Sequence, residues 1–429
     1  MNLSLGIDFG TSGARSAMVD GEGRVAARGA RQFDRSLPPG KWPSMWRKAL
    51  FELLAEIPVT LRSPLHSIAL NGTSGTVLLC DRTGTPITPP LAYNHSCDVR
   101  ILDQLKAIAP PRHPVLSTTS SLAKLLWWQQ TITPPHSSPI YFLHQADWLG
   151  YLLHKKLGMS DYHNSLKLGY DVVNLHYPKW LLEGIRRPSK FVPQLPEVVA
   201  PGTPVGTVCP SLREQFGFSP NCTVRAGTTD SIAAFLASGA VSVGEAVTSL
   251  GSTLVLKLLS RTRVDDARYG IYSHRLGDLW LTGGASNTGG AVLRHFFGDR
   301  NLETLSHQID PDTESPLDYY PLLEPGDRFP VNDPNLPPQL DPRPESDVEF
   351  LHGLLSGIAR IEARGYQLLQ ELGATPPQRV YTAGGGAKNP VWTTIRARHL
   401  GVPVIPSPHT EAAYGTARLA MGELGNFKL

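Results

Sequence analysis

Four cysteines are all that this 429-residue chain contains, and Cys80, Cys97, Cys209 and Cys222 lie far apart, with no Cys-x-x-Cys and no zinc-type spacing. A disulfide framework and a structural zinc site are therefore excluded, and reduced thiols in a cytoplasmic protein are the economical expectation. A charge excess of one sign is also missing. The formal net charge is +3, charged residues make up 18% of the chain, and no run of Lys or Arg exceeds two. Neither nucleic acid nor an anionic membrane is expected as a partner. No window approaches the ~18 continuous apolar residues of a membrane span. Asp8 and Gly10 arrive too early for the N-terminal apolar stretch to act as a leader. Two nucleotide signatures are lacking as well. There is no phosphate loop of the Gly-x4-Gly-Lys-Ser/Thr type. Gly21-Glu22-Gly23-Arg24-Val25-Ala26 has dinucleotide-type spacing, but it sits in a hairpin and opens no helix, so that reading fails on context.

The length, at ~150 residues per domain, implies two or three domains, each able to bury its own core. Leu3, Leu5, Ile7 and Phe9 alternate with Ser4, Gly6 and Asp8, the period of a strand with one buried face. Gly10-Thr11-Ser12-Gly13 turns the chain into a second strand over 14–19, and Asp20 to Gly23 into a third over 24–28. Further on, a helix is expected over 42–57 and a strand over 67–70. The loop 71–75 leads to a strand over 76–80, and helices follow near 121–130 and 145–153. A strand over 224–226, the segment Gly227-Thr228-Thr229-Asp230 and an apolar helix over 231–237 end at Gly239, a plausible helix stop. The lobe boundary is placed there, giving lobes 1–239 and 240–429. The second lobe opens like the first: strands over 245–250 and 254–259 flank Gly251-Ser252-Thr253, much as Phe9-Gly10-Thr11-Ser12 ends the first strand. Residues 311–344 hold ten prolines, so no element longer than a turn is expected there. A long helix over 347–372, a strand over 379–382, a triple-glycine turn and two helices close the chain.

Glycine-containing hairpin turns expose backbone N–H groups, and neighbouring hydroxyls add donors, so the turns at 10–13 and 251–253 are candidate phosphate cradles. Each could equally be a plain tight turn. Asp8, just before the first turn, would repel a polyphosphate unless a cation such as Mg²⁺ intervened; otherwise it stabilises the turn. Asp230 is either an N-cap or a base for an accepting hydroxyl. Asn71 to Thr76, including Ser74, presents donors and acceptors at a strand end, where a sugar could bind. Gly385, Gly386, Asn389 and Trp392 form a strand–glycine–helix start. There the Trp392 indole either covers one face of an adenine or packs in the core.

Together these pieces resemble the FGGY carbohydrate kinases, from one end of the chain to the other. Leu5-Gly6-Ile7-Asp8-Phe9-Gly10-Thr11-Ser12 resembles the first phosphate motif of that family, and Ala226-Gly227-Thr228-Thr229-Asp230 its catalytic-aspartate motif. Ser249-Leu250-Gly251-Ser252-Thr253 resembles the second phosphate motif. Ala383-Gly384-Gly385-Gly386-Ala387-Lys388-Asn389 resembles the adenosine motif, and Glu411-Ala412-Ala413-Tyr414-Gly415-Thr416-Ala417 is also typical of the family. The resemblance implies an α/β fold of two ribonuclease-H-like, actin-like lobes with a central cleft for ATP, Mg²⁺ and a small-molecule sugar, in a monomer or dimer. It implies Asp230 as the base. Asp8, Thr11, Ser12 and Ser74 would lie at the sugar and the transferred phosphate, and Asp8 at the metal. Thr11, Ser12, Gly251, Ser252, Thr253, Gly289, Gly385, Gly386, Asn389 and Trp392 would hold ATP.

The departures bear on substrate. Xylulose kinases usually carry Gly-Gln-Met-His-Gly where this chain has Gly72-Thr73-Ser74-Gly75-Thr76. A usual Trp-x-Asp-x-Arg is replaced by Tyr93-Asn94-His95-Ser96-Cys97, and a Lys-x-x-Trp segment is loosely kept as Lys124-Leu125-Leu126-Trp127. The stretches 71–81 and 227–240 resemble a cyanobacterial and plant-plastid branch similar to D-ribulose kinases. D-Ribulose is therefore the expected acceptor. D-Xylulose, another polyol, or an actin-like scaffold that binds nucleotide without turnover are the alternatives.

Overall fold

The computed structural model describes residues 2–133, 139–187 and 191–422. The contacts divide the chain into two units. The first comprises Met1–Ala237 together with the final helix, Ala412–Met421; the second takes up the chain from Ser238 to Thr410. The last helix thus groups with the first unit by its contacts, although it lies within 240–429 in sequence.

In the first unit β1 (Leu3–Phe9), β2 (Gly13–Val19) and β3 (Val25–Gln32) form the expected antiparallel meander. On its other side β1 runs parallel to β4 (Leu65–Gly72), and the sheet continues through Thr223–Arg225 and Pro204–Thr207. Thr228–Thr229, in the segment between strand and helix, adds two more parallel pairs at the end of β4.

β1 is buried on both faces rather than one. Leu3, Leu5, Ile7 and Phe9 pack with helices Trp42–Ala55 and Gln145–His154 in a large apolar core. The small and polar residues between them lie under the last helix. A Cβ on Gly6 would come within 2.1 Å of the Ala417 backbone nitrogen, and one on Gly415 within 1.8 Å of the Ala233 carbonyl. Two glycines thus let this helix settle directly on β1 and on helix Asp230–Ala237. Small residues that look like a solvent face in sequence are here the seat of a helix.

The second unit repeats the plan. Glu245–Leu250 pairs antiparallel with Leu254–Ser260 and parallel with Arg379–Ala383, as β1 does with β2 and β4. The sheet extends to Leu279–Thr282 and His274–Leu276 on one side and Val404–Pro406 on the other. Each sheet therefore joins an antiparallel meander, of three strands in the first unit and four in the second, to parallel strands on the other side, the ribonuclease-H-like plan. The long helix Asp347–Glu371 covers the second sheet, and residues 311–344 contain only isolated bridges, as their prolines require.

A buried ion pair locks this unit. Arg396 Nε and Nη2 lie 2.6 and 2.7 Å from the two Glu362 carboxylate oxygens, with both side chains fully shielded from solvent. Thr248 donates to Glu362 at 2.5 Å, and Arg396 Nη1 donates to Thr382 at 2.7 Å. Two strands and two helices meet through four side chains whose polar groups satisfy one another.

Candidate active site

In the first unit the chemistry gathers at the carboxyl ends of the parallel strands, the usual place for ligands in such sheets. Asp8 on β1 stands beside Asn71 on β4, and Thr228 stands on the other side of Asn71. The period of two puts all three side chains on one face. Asp230 follows one residue beyond Thr229 and opens its helix, with the Ser231 amide donating to its Oδ1 at 2.8 Å. It is thus the first helical residue, partly exposed, rather than a cap outside the helix.

This face carries unspent hydrogen-bonding capacity. Asp8 Oδ1 and Asn71 Oδ1 are both buried with no hydrogen-bond partner among the described residues; Thr229 Oγ1 is likewise unpartnered but, one residue after Thr228, belongs to the opposite face. Orphaned buried acceptors are costly and rare, and two side by side at strand ends are the mark of a polar ligand site. Burial pushes the Asp8 carboxyl up to about 6, and the Asp230 charge pushes the same way. Arg15, directly across β2 from Asp8, and the Asn71 amide oppose the rise. Among the described residues no group of three or more His, Cys, Asp or Glu could hold a metal ion.

The adjacent turn is closed by Gly10 N–H donating to the Gly13 carbonyl at 3.0 Å, which leaves Thr11 and Ser12 exposed at its tip. Gly13 is required there because a Cβ would meet the Arg31 carbonyl at 2.3 Å. The loop after β4 is shaped by its own threonines. Thr73 and Thr76 hydroxyls meet at 2.5 Å, the Thr73 amide donates to Gln145 Oε1, and the Tyr93 amide donates to Thr76 Oγ1. Ser74 sits half-buried at the crest of this loop. Lys124, fully buried, donates at 2.7 Å to the carbonyls of both Gly75 and Ala92, which ties the loop to the segment bearing Tyr93 and His95. Burial holds its ammonium down to about 7. Sequence reasoning registered Lys124 only as a loosely kept pattern and missed Arg15 altogether, although its place opposite Asp8 follows from the hairpin register. His163, which hydrogen-bonds Thr228 Oγ1 at 2.8 Å, carried no signal in the sequence.

In the second unit three glycine-bearing turns converge. Gly290 and Ala291 amides donate to the carbonyls of Gly251 and Ser252 at 2.9 and 3.0 Å. Gly289, at φ +144°, would drive a Cβ to 2.7 Å from the Thr253 backbone, and Gly384, at φ +88°, to 2.5 Å from the Leu250 carbonyl. Backbones this close exclude side chains and let a ligand approach the main chain, which suits a polyphosphate. Thr253 borders this cluster, Gly385 is exposed, and Ser252 accepts from Arg294 Nη2 at 2.9 Å.

Two residues expected to hold the nucleotide are engaged elsewhere. Asn389 Oδ1 caps helix Pro390–Leu400 through the Trp392 amide, and its Nδ2 donates to Ser306. Trp392 is 2% exposed, lies against Gly386, and donates its indole N–H to the Leu355 carbonyl at 3.0 Å. The indole is a core residue whose face meets protein, so the expectation that it covers an adenine is corrected. The large apolar surface of tryptophan wins burial when its one polar atom finds a partner.

Residues 3–237 match the N-terminal domain of the FGGY family of carbohydrate kinases, and residues 246–423 match its C-terminal domain. A xylulose kinase of Staphylococcus epidermidis is 22% identical, over 99% of this chain and 88% of its own. A gluconokinase of Bacillus subtilis is 21% identical over the same shares. Among solved structures, a xylulose kinase from Brucella ovis has a TM-score of 0.82 at 21% identity, covering 99% of this chain and 91% of its own. A Plasmodium falciparum glycerol kinase with ADP has a TM-score of 0.79 at 17% identity, covering 100% and 91%. The two domain matches together span nearly the whole chain; the second includes the final helix, which packs with the first unit. This protein belongs to the FGGY family of carbohydrate kinases.

Proposed function

We propose that the protein transfers the γ-phosphoryl group of ATP to a ketopentose, D-ribulose, to give D-ribulose 5-phosphate, with Asp230 as the general base. The observation that carries this reading is the alignment of Asp8, Asn71 and Thr228 at adjoining strand ends beside Asp230, with the buried Asp8 Oδ1 and Asn71 Oδ1 left for a ligand. In the reaction the sugar hydroxyl oxygen bonds to the γ-phosphorus and the bond from that phosphorus to the β–γ bridging oxygen breaks. The hydroxyl proton passes to Asp230. Proton loss is late in a loose transition state, so a carboxylate of ordinary basicity suffices. Thr11, Ser12 and Ser74 orient the sugar and the phosphoryl group. The backbone around Gly251, Ser252, Thr253, Gly289, Gly385 and Gly386 receives the nucleotide phosphates, and Asn389 shapes the last of these turns. Mg²⁺ would neutralise charge between phosphates. It binds through one or two carboxylates and keeps its waters, and the unpartnered Asp8 Oδ1 fits that role.

D-Xylulose is the second reading, because relatives across the full length are named xylulose kinases. Epimers differ by one or two hydrogen bonds in a pocket, and a site built around such a bond rejects the analogue that lacks it. An ADP-release assay over the four ketopentoses, glycerol and gluconate decides the matter. The proposal expects the highest kcat/KM with D-ribulose. A higher value with D-xylulose or gluconate would reassign the substrate.

A further inference from the structure

The last helix carries the fifth family-like motif, whose part in the site is still unassigned. Two polar lines run from the first sheet to this helix. In one, Ser4 and Ser67 hydroxyls meet at 2.9 Å and Ser67 donates to the Ala420 carbonyl at 2.7 Å. That line is closed within the protein and does structural work. In the other, Asn71 Nδ2 donates to Thr416 Oγ1 at 2.6 Å, and Thr416 passes its own proton to the Ala412 carbonyl at 2.9 Å. Thr416 is fully buried and its hydroxyl is committed at both ends, so it can only accept from Asn71. The amide is thereby fixed in one sense, nitrogen toward the helix and oxygen away from it. That oxygen and Asp8 Oδ1 are the two unpartnered buried oxygens among the described residues on this face. An asparagine serving only to join sheet and helix would not leave its acceptor empty.

We propose that Thr416 is a positioning residue for the sugar: by accepting the Asn71 Nδ2 proton it holds Asn71 Oδ1 as the acceptor for a substrate hydroxyl. This rests on the reading that the strand ends of the first unit bind the acceptor sugar. The Asp8 carboxyl also draws on the Asn71 amide, but without the Thr416 oxygen the 2.6 Å bond that fixes the amide's sense is lost. In the reversed sense it presents a donor to a hydroxyl that must already donate or accept elsewhere. The other groups of the last helix do not compete for Asn71. Arg418 donates to the Leu236 carbonyl, Tyr414 donates to the Gly23 carbonyl, and Glu411 lies 3.6 Å from Arg28.

The test is a double-mutant cycle on the full chain, using whichever sugar the wild type phosphorylates. Failure of the D-ribulose assignment therefore leaves it intact. Thr416→Val should lower kcat/KM for the sugar about tenfold, the worth of one neutral hydrogen bond, with KM for ATP within twofold. Thr416→Ser should restore the value to within about threefold. In an Asn71→Ala background, Thr416→Val should cost less than a further twofold, because the group it acts through is gone. Unfolding curves accompany each variant. If the Val variant does not fold, Thr416→Ala makes the same hydroxyl deletion without the branch. The proposal is overturned if the hydroxyl deletion leaves sugar kinetics within twofold of wild type. It is also overturned if Thr416→Ser is as damaged as Thr416→Val, or if the full tenfold loss persists without Asn71.

Discussion

Asp8→Asn should make the free protein more stable while it cripples the enzyme. Asp8 is 9% exposed, and burial together with the Asp230 charge raises its carboxyl from an ordinary 3.8 to about 6. At ~1.4 kcal/mol for each tenfold change in proton affinity, the ionised form costs the fold about 3 kcal/mol. The sign follows from proton counting. Between pH 3.8 and about 6 the unfolded chain has released a proton that the folded chain still holds, so wild-type stability falls as pH rises through that window and is flat above it. Asparagine has nearly the same shape and no charge, so the variant escapes the loss. The gain should be small at pH 4 and reach roughly 1–3 kcal/mol at pH 8. For a unit of this size that is a rise in Tm of about 2–10 °C. Calorimetry or urea unfolding in EDTA without nucleotide, from pH 4 to 8, reads it directly, and the first unit's transition is the one to follow. A variant no more stable at pH 8 than at pH 4, relative to wild type, would refute the argument. It would mean that Arg15 and Asn71 already neutralise the burial cost.

Three further outcomes follow from the buried groups. Glu362→Gln leaves Arg396 buried without its charge partner and should destabilise the second unit by about 3–5 kcal/mol; a double replacement of Glu362 and Arg396 by Met should recover most of that loss, and an undamaged single variant would contradict the role of the pair. Lys124→Met frees the carbonyls of Gly75 and Ala92, and should raise KM for the sugar about tenfold with KM for ATP unchanged, the effect of roughly one charged hydrogen bond; initial-rate kinetics in both substrates would expose an equal effect on the two. Trp392→Phe keeps an aromatic ring but loses the bond to the Leu355 carbonyl, so it should lower stability by about 1–3 kcal/mol and leave KM for ATP within threefold; a large rise in that KM would return the indole to the nucleotide.

Much of this site was legible because it is local. Gly10, Gly13, Gly251 and Gly384 announce turns where backbones crowd, and Asp8 and Asp230 sit at strand-to-turn and strand-to-helix junctions that hydrophobic periodicity locates well. What stayed hidden depends on partners remote in sequence. Asn71 and Thr416 are 345 positions apart, and nothing near either residue signals the other. The alternation in β1 reads as one buried and one wet face because a helix that returns from the chain's end leaves no trace beside it. Thr228–Thr229 carries no signal of a strand because two residues show no period. Trp392 was ambiguous for a different reason, since an indole beside a glycine turn is equally suited to stacking and to packing. Only the Leu355 carbonyl on the long helix decides it.

The central claim is that Asp230 removes the proton from the acceptor hydroxyl, and one variant tests it. Asp230→Asn keeps the shape at the start of helix Asp230–Ala237 and an oxygen for the Ser231 amide, but it cannot take the proton. With D-ribulose and ATP, ADP release measured at saturating substrates should fall by ~10²-fold or more, while ATP affinity measured by calorimetry changes little. Turnover within a few-fold of wild type in a folded, ATP-binding variant would contradict the account.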